Sequence, residues 1–229
     1  MQKQLDNDYW NDMRKRLQKT QLLVLGEMHG AFVNTQITSE FIQRIGIKTV
    51  LIEVGSKYSD LFSRLSSKNI DAIETEIKKT DAWLFEAGVL SSTHLQLYAM
   101  LCEQGIRVIP IKIEDKDWNT AEQLTSDKIK KLLAMATTPA IAIIGRLHAR
   151  NKCYKIQNKP YTPLGWLLHD IAISVQTRYG AGEIYNFGRV SISDKSATKF
   201  LGNKNKILKK SQSHFFDFDY IVRTTHPLK

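Results

Sequence analysis

Short, mainly apolar runs alternate along this chain with longer stretches in which apolar residues recur every three or four positions. The runs are Leu22-Leu23-Val24-Leu25, Lys48 to Val54 (KTVLIEV), Arg107 to Ile113 (RVIPIKI) and Ile141-Ala142-Ile143-Ile144. Continuous apolar character over so few residues predicts strands covered on both faces. Strands are therefore expected over residues 21–26, 48–54, 107–113 and 140–144. Pro110 cannot donate to a sheet ladder, which places the third strand at an edge or puts Pro110 at its start. The intervening stretches predict helices over residues 5–18, 33–45, 57–67, 69–80, 94–104 and 121–135. Val33, Ile37, Phe41 and Ile45 carry the helical spacing of the second, and Gly46 and Gly105 are stops.

Strand and helix in turn predict an α/β fold, a mainly parallel sheet flanked by helices on both faces. The last third changes character. Ile171 to Arg178, Glu183 to Val190 and Phe215 to Arg223 read as strands with short connections, and Tyr179-Gly180-Ala181-Gly182 reads as a hairpin between two of them. An antiparallel C-terminal extension follows. With no linker or low-complexity segment, residues 1–229 are expected to form a single domain.

Composition narrows this picture. Hydrophobic residues make up 42% of the 229, which suits a globular core. No apolar run approaches the roughly 18 residues of a spanning helix. Met1 to Thr20 is polar and lacks the apolar region of a secretory signal, so a cytoplasmic setting is expected, with a secreted effector as the alternative. Cys102 and Cys153 are too few for a disulfide scaffold and lack metal-finger spacing. The net charge is +10, with lysines clustered at Lys128, Lys130 and Lys131 and at Lys199, Lys204, Lys206, Lys209 and Lys210. Such a surplus attracts an acidic partner or an anionic membrane surface; the plainer reading is a solvated Lys-rich surface. No aromatic residues interleave the clusters, so no specific nucleic acid is expected.

The chemistry concentrates where strands end. Gly26-Glu27-Met28-His29 follows the first strand, and Gly145-Arg146-Leu147-His148 follows the fourth. Each is a glycine that closes an apolar strand with a histidine three residues on. In open α/β sheets, ligands bind at the carboxyl ends of strands. Glu53 interrupts the second strand in Leu51-Ile52-Glu53-Val54, and a carboxylate so placed must be paired or ligated. Glu114 and Asp115 follow the third strand and join these candidates. Glu27, His29, Glu53 and His148 suit a divalent zinc, manganese or iron ion. They equally suit metal-free acid–base work, with a carboxylate orienting a histidine that activates water. Arg146 and Arg150 flank His148 and are candidates to hold an anionic substrate group or an oxyanion; the plainer reading is structural. Tyr154 and Tyr161 are candidates to line a pocket or ligate haem, against a plainer reading as surface aromatics. His94, His169, His214 and His226 have no acidic frame and read as structural. No Gly-x-Ser-x-Gly elbow, P-loop or Gly-x-Gly-x-x-Gly occurs, which argues against a serine hydrolase, an NTPase and a dinucleotide enzyme.

Leu25-Gly26-Glu27-Met28-His29-Gly30, Leu51-Ile52-Glu53 and Gly145-Arg146-Leu147-His148-Ala149 together resemble the erythromycin esterase/ChaN/TraB–Tiki superfamily. Phe218-Asp219-Tyr220-Ile221-Val222 resembles its closing strand, so the resemblance spans about residues 20–225. It implies an α/β fold with Glu27, His29, Glu53 and His148 as the site. It also implies one of several activities: an ester, amide or peptide hydrolase acting on a small molecule or peptide, with or without metal; a haem- or metal-binding protein; or a toxin or virulence effector module. The chain lacks the long helical insertions of the macrolide esterases, the lipoprotein signal of haem-uptake members and the membrane segment of Tiki-type members.

Overall fold

The computed structural model describes residues 2–80, 90–185, 189–201 and 205–225. The four apolar runs form β1 (Leu22–Glu27), β2 (Thr49–Gly55), β3 (Arg107–Lys112) and β4 (Ala140–Gly145). β1, β2 and β4 are buried at every position. β7 (Ala172–Tyr185), β8 (Arg189–Ser193), β9 (Lys206–Lys210) and β10 (Phe218–Thr225) complete the sheet. Its order is β3-β2-β4-β1-β7-β10-β9, with β8 paired to β7. All pairings are parallel except β10–β9 and β7–β8. The antiparallel extension is thus supplied by β8 and β9, while β10 runs parallel to β7. β3 is an edge strand, one of the two placements that Pro110 allows.

Alternate residues of each strand feed two cores. Leu23, Leu25, Ile141, Ile143, Ile173 and Val175 face α1 (Gln2–Thr20), α2 (Asn34–Ile45), α3 (Ser59–Ser63), α4 (Ile70–Ile77) and α5 (Ser92–Glu103). Leu22, Val24, Leu51, Ala142 and Ile144 face α6 (Trp118–Ala134) and α7 (Leu164–Leu167). The period-2 alternation of a strand produces both layers from one run of residues. A small third cluster joins α8 (Lys195–Leu201) to Ile221 of β10.

Several elements depart from the sequence reading. The glycines at 180 and 182 do not turn the chain: β7 runs straight through Tyr179–Gly182. A Cβ on Gly180 would lie 2.8 Å from Arg223 O, and one on Gly182 would lie 2.1 Å from Thr225 O. These glycines admit the close approach of β10, and β7 pairs antiparallel with β8 as far as Tyr185 opposite Arg189. The stretch 57–67 forms only a 3-10 turn (Ser56–Tyr58) and the short α3. Asn69 accepts the Ser66 N–H (2.8 Å) and donates to Arg64 O (2.5 Å), and so interrupts the helix before α4. α6 starts three residues early because Asp117 caps it, accepting the Thr120 N–H at 2.8 Å. The stretch after His148 contains a hairpin, β5 (Tyr154–Ile156) and β6 (Lys159–Tyr161). Gln157 and Asn158 form its turn, both at positive φ (49° and 65°). Lys206, Lys209 and Lys210 lie on the edge strand β9, where lysines discourage pairing with another chain; Lys204 and His226 fall outside the described residues. Among the described residues, no helix is long and apolar enough to cross a membrane.

Candidate active site

The sheet order brings the two Gly-x-x-His frames together. β4 returns between β2 and β1, with Glu27 opposite Gly145 in parallel register. Glu53 of β2 lies on the other side of β4. Three carboxyl ends therefore deliver Glu27, His29, Glu53 and His148 to one stretch of the sheet edge.

The side chains form a row of alternating sign. Glu27 Oε1 is 3.2 Å from His29 Nδ1. His29 Nε2 is 3.6 Å from Glu53 Oε2, and His148 Nε2 is 3.6 Å from Glu53 Oε1. The Gly145 N–H donates to Glu53 Oε2 at 2.5 Å. His148 Nδ1 contacts Glu122 of α6 and lies 2.7 Å from the Tyr161 hydroxyl, which itself donates to Glu122. One carboxylate thus stands between two imidazoles, and each imidazole is backed by a further carboxylate. Gly145 makes the approach possible: a Cβ there would lie 2.7 Å from His29 Nε2.

Around the first frame, Asn34 Nδ2 donates to Met28 O at 2.9 Å, the Tyr179 hydroxyl donates to Asn34 Oδ1, and the Thr177 hydroxyl donates to Gly26 O at 3.2 Å. α2 and β7 thereby fix the turn that carries Glu27 and His29.

Charge in the row follows from burial and pairing. Burial alone would lower the His29 pKa, but its hydrogen bonds to Glu27 and Glu53 overcome this and raise it to about 10. For His148, burial is again outweighed, by the Glu53 charge and by Glu122, which raise it to about 8. Burial opposes ionisation of Glu53, yet the two imidazoles and the Gly145 N–H hold it well below the usual carboxylate range. Burial pushes the Glu27 carboxyl up, and the His29 contact pulls it back in part. Burial and the neighbouring Glu122 push the Tyr161 phenol well above its usual range, so it remains a donor. At neutral pH the centre of the row is an anion between two imidazolium groups, and His148 is the member that titrates nearest neutrality.

His148, Glu53, Glu122 and Tyr161 open into a cavity of about 370 Å³ with Ile111, Ile113, Ile144, Ile156 and Leu164 on its walls. Trp118 (62% exposed) and Leu147 (48%) also line it and reach the surface. Glu114 and Asp115 line the same cavity on the β3 side; Glu114 pairs with Lys57 at 3.2 Å, and Asp115 accepts the Asp117 N–H at 2.9 Å. Arg146 lines a different cavity, with Met28 and Arg178. Arg150 lies over the rings of Tyr154 and Phe215, 4.3 and 4.7 Å from their centroids. Neither arginine lines the cavity beside His148.

Glu122 carries no mark in the motif pattern, but a readable signal existed. Glu122, Thr125, Ser126, Ile129 and Leu133 form the buried stripe of α6, so an acidic residue sits on a face that should be apolar. Tyr161 is buried in the site, and Tyr154 donates to Leu147 O at 3.0 Å; both have built contacts and are not loose surface aromatics. His94 is buried against Ser91 at 2.9 Å, and His169 stacks on Trp166 at 4.3 Å, as structural histidines do.

The donor types suit a first-row divalent ion, and a carboxylate behind each imidazole is a common support for a metal-bound histidine. The arrangement does not match. Glu53 presents one oxygen to each imidazole, Glu27 and Glu122 address the opposite ring nitrogens, and among the described residues no three or more such groups converge to hold an ion.

Solved structures place the fold. Erythromycin esterase EreC in its open conformation superposes with a TM-score of 0.68 at 8% identity, covering 94% of each chain. The chain shares the overall α/β fold of this esterase. A succinoglycan biosynthesis protein shares it (TM-score 0.56, 10% identity, 98% of each chain). So does the type III effector HopBA1 (TM-score 0.51, 12% identity, 96% of this chain and 94% of that one). Identity this low speaks of fold alone. No family model and no curated protein matches the chain.

Proposed function

We propose that this protein is a metal-free hydrolase of ester, amide or peptide bonds in which His148 is the general base. The observation that carries the reading is the placement of His148 between Glu53 and Glu122 in the charged row and on the wall of the 370 Å³ cavity. Glu122 and Tyr161 hold its Nδ1 side, which leaves Nε2 directed at Glu53 and the cavity. A base oriented by a buried carboxylate, with a pKa near the working pH, is the arrangement that proton abstraction from water needs. In its neutral form, His148 takes a proton from the attacking water and returns it to the leaving group. His29 stays protonated between Glu27 and Glu53, so it supplies positive charge for the oxyanion that develops at the carbonyl. Glu53 keeps both imidazoles in place. The raised pKa of His29, about 10, and its contacts to two carboxylates suit it to charge stabilisation rather than to water activation. The apolar walls and Trp118 favour a substrate with an apolar group beside the cleaved bond.

The test is turnover of a panel of p-nitrophenyl esters and anilides by wild type and His148→Gln. Loss of a general base removes about two to four powers of ten in rate. No turnover of any compound by the wild type, or an unaltered rate in His148→Gln, would reject the assignment.

A second reading follows from the effector neighbour and the net charge of +10: an effector domain held by an acidic partner. Binding to an acidic peptide or anionic vesicle that weakens steeply with salt would support it; salt-independent binding would not.

A further inference from the structure

We infer that a second cavity, on the β7 side of the charged row, is a subsite for an anionic group of the substrate, a carboxylate or a phosphate. This rests on the hydrolase reading for the word substrate, not for the binding. The cavity measures about 360 Å³ and is lined by Met28, Arg146, Arg178, Tyr179, Asp194 and Lys195, among others. It adjoins the catalytic row through the chain itself. Met28 lies between Glu27 and His29, and Arg146 follows Gly145, whose N–H holds Glu53. The apolar cavity lies toward β3, so the two flank the row from opposite sides.

The cations here are unequally committed. Arg178 donates through Nε and Nη2 to Asp194 (3.0 and 2.7 Å), through Nη2 to Ser196 (2.5 Å) and through Nη1 to Asp219 (3.2 Å). The carboxylate of Asp194 is equally engaged. One oxygen accepts from Ser196 and from the Ala197 N–H (2.8 and 2.9 Å), and the other accepts twice from Arg178. Four acceptances use the lone pairs a carboxylate offers, so Asp194 has none left for Arg146. Arg146 is half-buried, and among the described residues its guanidinium has no ion pair or hydrogen bond; burial and the neighbouring Arg150 and Arg178 charges press its pKa down, and Tyr179 and Asp194 offset this only in part. Lys195 is exposed beside it. A half-buried guanidinium among other cations is unfavourable on its own account. A planar fork with all five N–H groups unspent is also the best receptor a protein has for a carboxylate or phosphate. The ligand that matches the cavity is therefore an oxyanion, held by Arg146 with Lys195 at the mouth, while Arg178 is fixed as wall.

Two measurements test this. The first compares mono-p-nitrophenyl succinate with p-nitrophenyl butyrate, esters of similar length that differ by a carboxylate. The wild type is expected to prefer the succinate ester, and Arg146→Met to lower the succinate-to-butyrate ratio of kcat/KM by roughly tenfold to a hundredfold, as for loss of a hydrogen bond to a charged group. Lys195→Met, at an exposed position, should lower it less. The second titrates inorganic phosphate and, separately, succinate into folded wild type and Arg146→Met by calorimetry, without turnover. Saturable binding of either, lost in the variant, supports the subsite, and the better ligand names the group. If neither ester is cleaved but Arg146-dependent binding persists, the hydrolase reading falls and the subsite stands. Equal ester ratios in wild type and variant, or anion binding that survives Arg146→Met, overturn the inference.

Discussion

Gly145→Ala separates the site from the fold. Gly145 closes β4 and does not adopt a positive φ, so alanine fits its backbone without strain. The added methyl would lie 2.7 Å from His29 Nε2 and 3.4 Å from both Glu53 Oε2 and His148 Cδ2. Contact becomes ordinary near 3.4 Å, so His29 must withdraw by about 0.7 Å. That movement carries the imidazolium away from Glu53 and from the position where an oxyanion would form. A misplacement of about 1 Å in a catalytic site costs on the order of 10²-fold, and a loss of roughly 10- to 100-fold in kcat/KM is expected. Stability should change little. Crowding a packed site costs about 1–3 kcal/mol, but His29 is partly exposed and can yield, and alanine restricts the unfolded chain by about 0.4–1 kcal/mol in compensation. The net is about 1 kcal/mol, or roughly 2–4 °C in Tm for a chain of this size. The assay is p-nitrophenyl ester turnover beside thermal unfolding. Gly46→Ala is the control: its φ is 79°, and no atom lies within 4 Å of the added methyl. It should cost about 1–2 kcal/mol of stability and leave the rate per folded molecule unaltered. Full activity in Gly145→Ala would show that His29 need not stand against Glu53, and the row would lose its catalytic meaning.

Glu53→Gln keeps the volume but removes the charge between the imidazoles; we expect a rate loss of about two to four powers of ten and a stability loss on the order of 1–3 kcal/mol, read by turnover and denaturant melts. The pH profile of kcat/KM should be bell-shaped, rising through about 8 as His148 deprotonates and falling near 10 as His29 does; Glu122→Gln removes a group that raises the His148 pKa, so the acidic limb should move to lower pH. The stability contributed by the row should be greatest at mildly acidic pH, between 4.5 and 6.5. Both histidines have raised pKa values, so the stability they contribute is complete below 6.5 and is lost as pH rises through about 8 and about 10, whereas the contribution of Glu53, whose pKa is lowered, is lost only as pH falls well below 4.5; pH-dependent melts of wild type and His29→Gln check this. Dialysis against a chelator should leave ester turnover unaltered and elemental analysis should find no stoichiometric divalent ion; activity lost on dialysis and restored by zinc, manganese or iron would contradict the metal-free scheme.

The central sheet was legible because each of its first four strands is built on a short apolar run, and because Pro110 had to sit at an edge or at the start of its strand. Glu27, His29, Glu53 and His148 were legible for the opposite reason: each breaks or follows such a run where burial makes a polar residue unfavourable. What escaped was information that lives between elements. Gly180 and Gly182 looked like a turn because a single chain does not show that a neighbouring strand presses on them. The hairpin carrying Tyr161 turns on Gln157 and Asn158 at positive φ, without the glycine that usually announces such a turn. The lysines of β9 read as charge alone, although Ile207 and Leu208 between them face packed clusters.

Glu122 shows most clearly where local reading ends. On its own helix it is one acidic residue among several, and the stripe it shares with Thr125, Ser126, Ile129 and Leu133 is polar for its first turns and apolar after them. That gradient has a physical cause. The end of α6 near Leu133 packs on the sheet through Leu22, Ala140 and Ala142, whereas its start reaches past the strand ends to His148 and Tyr161. A helix that overhangs the carboxyl edge of a sheet must exchange apolar for polar residues at the point where strands give way to cavity. The exchange at Thr125–Ser126 marks that point, and it places Glu122 over the site as surely as the glycines place the two histidines in it.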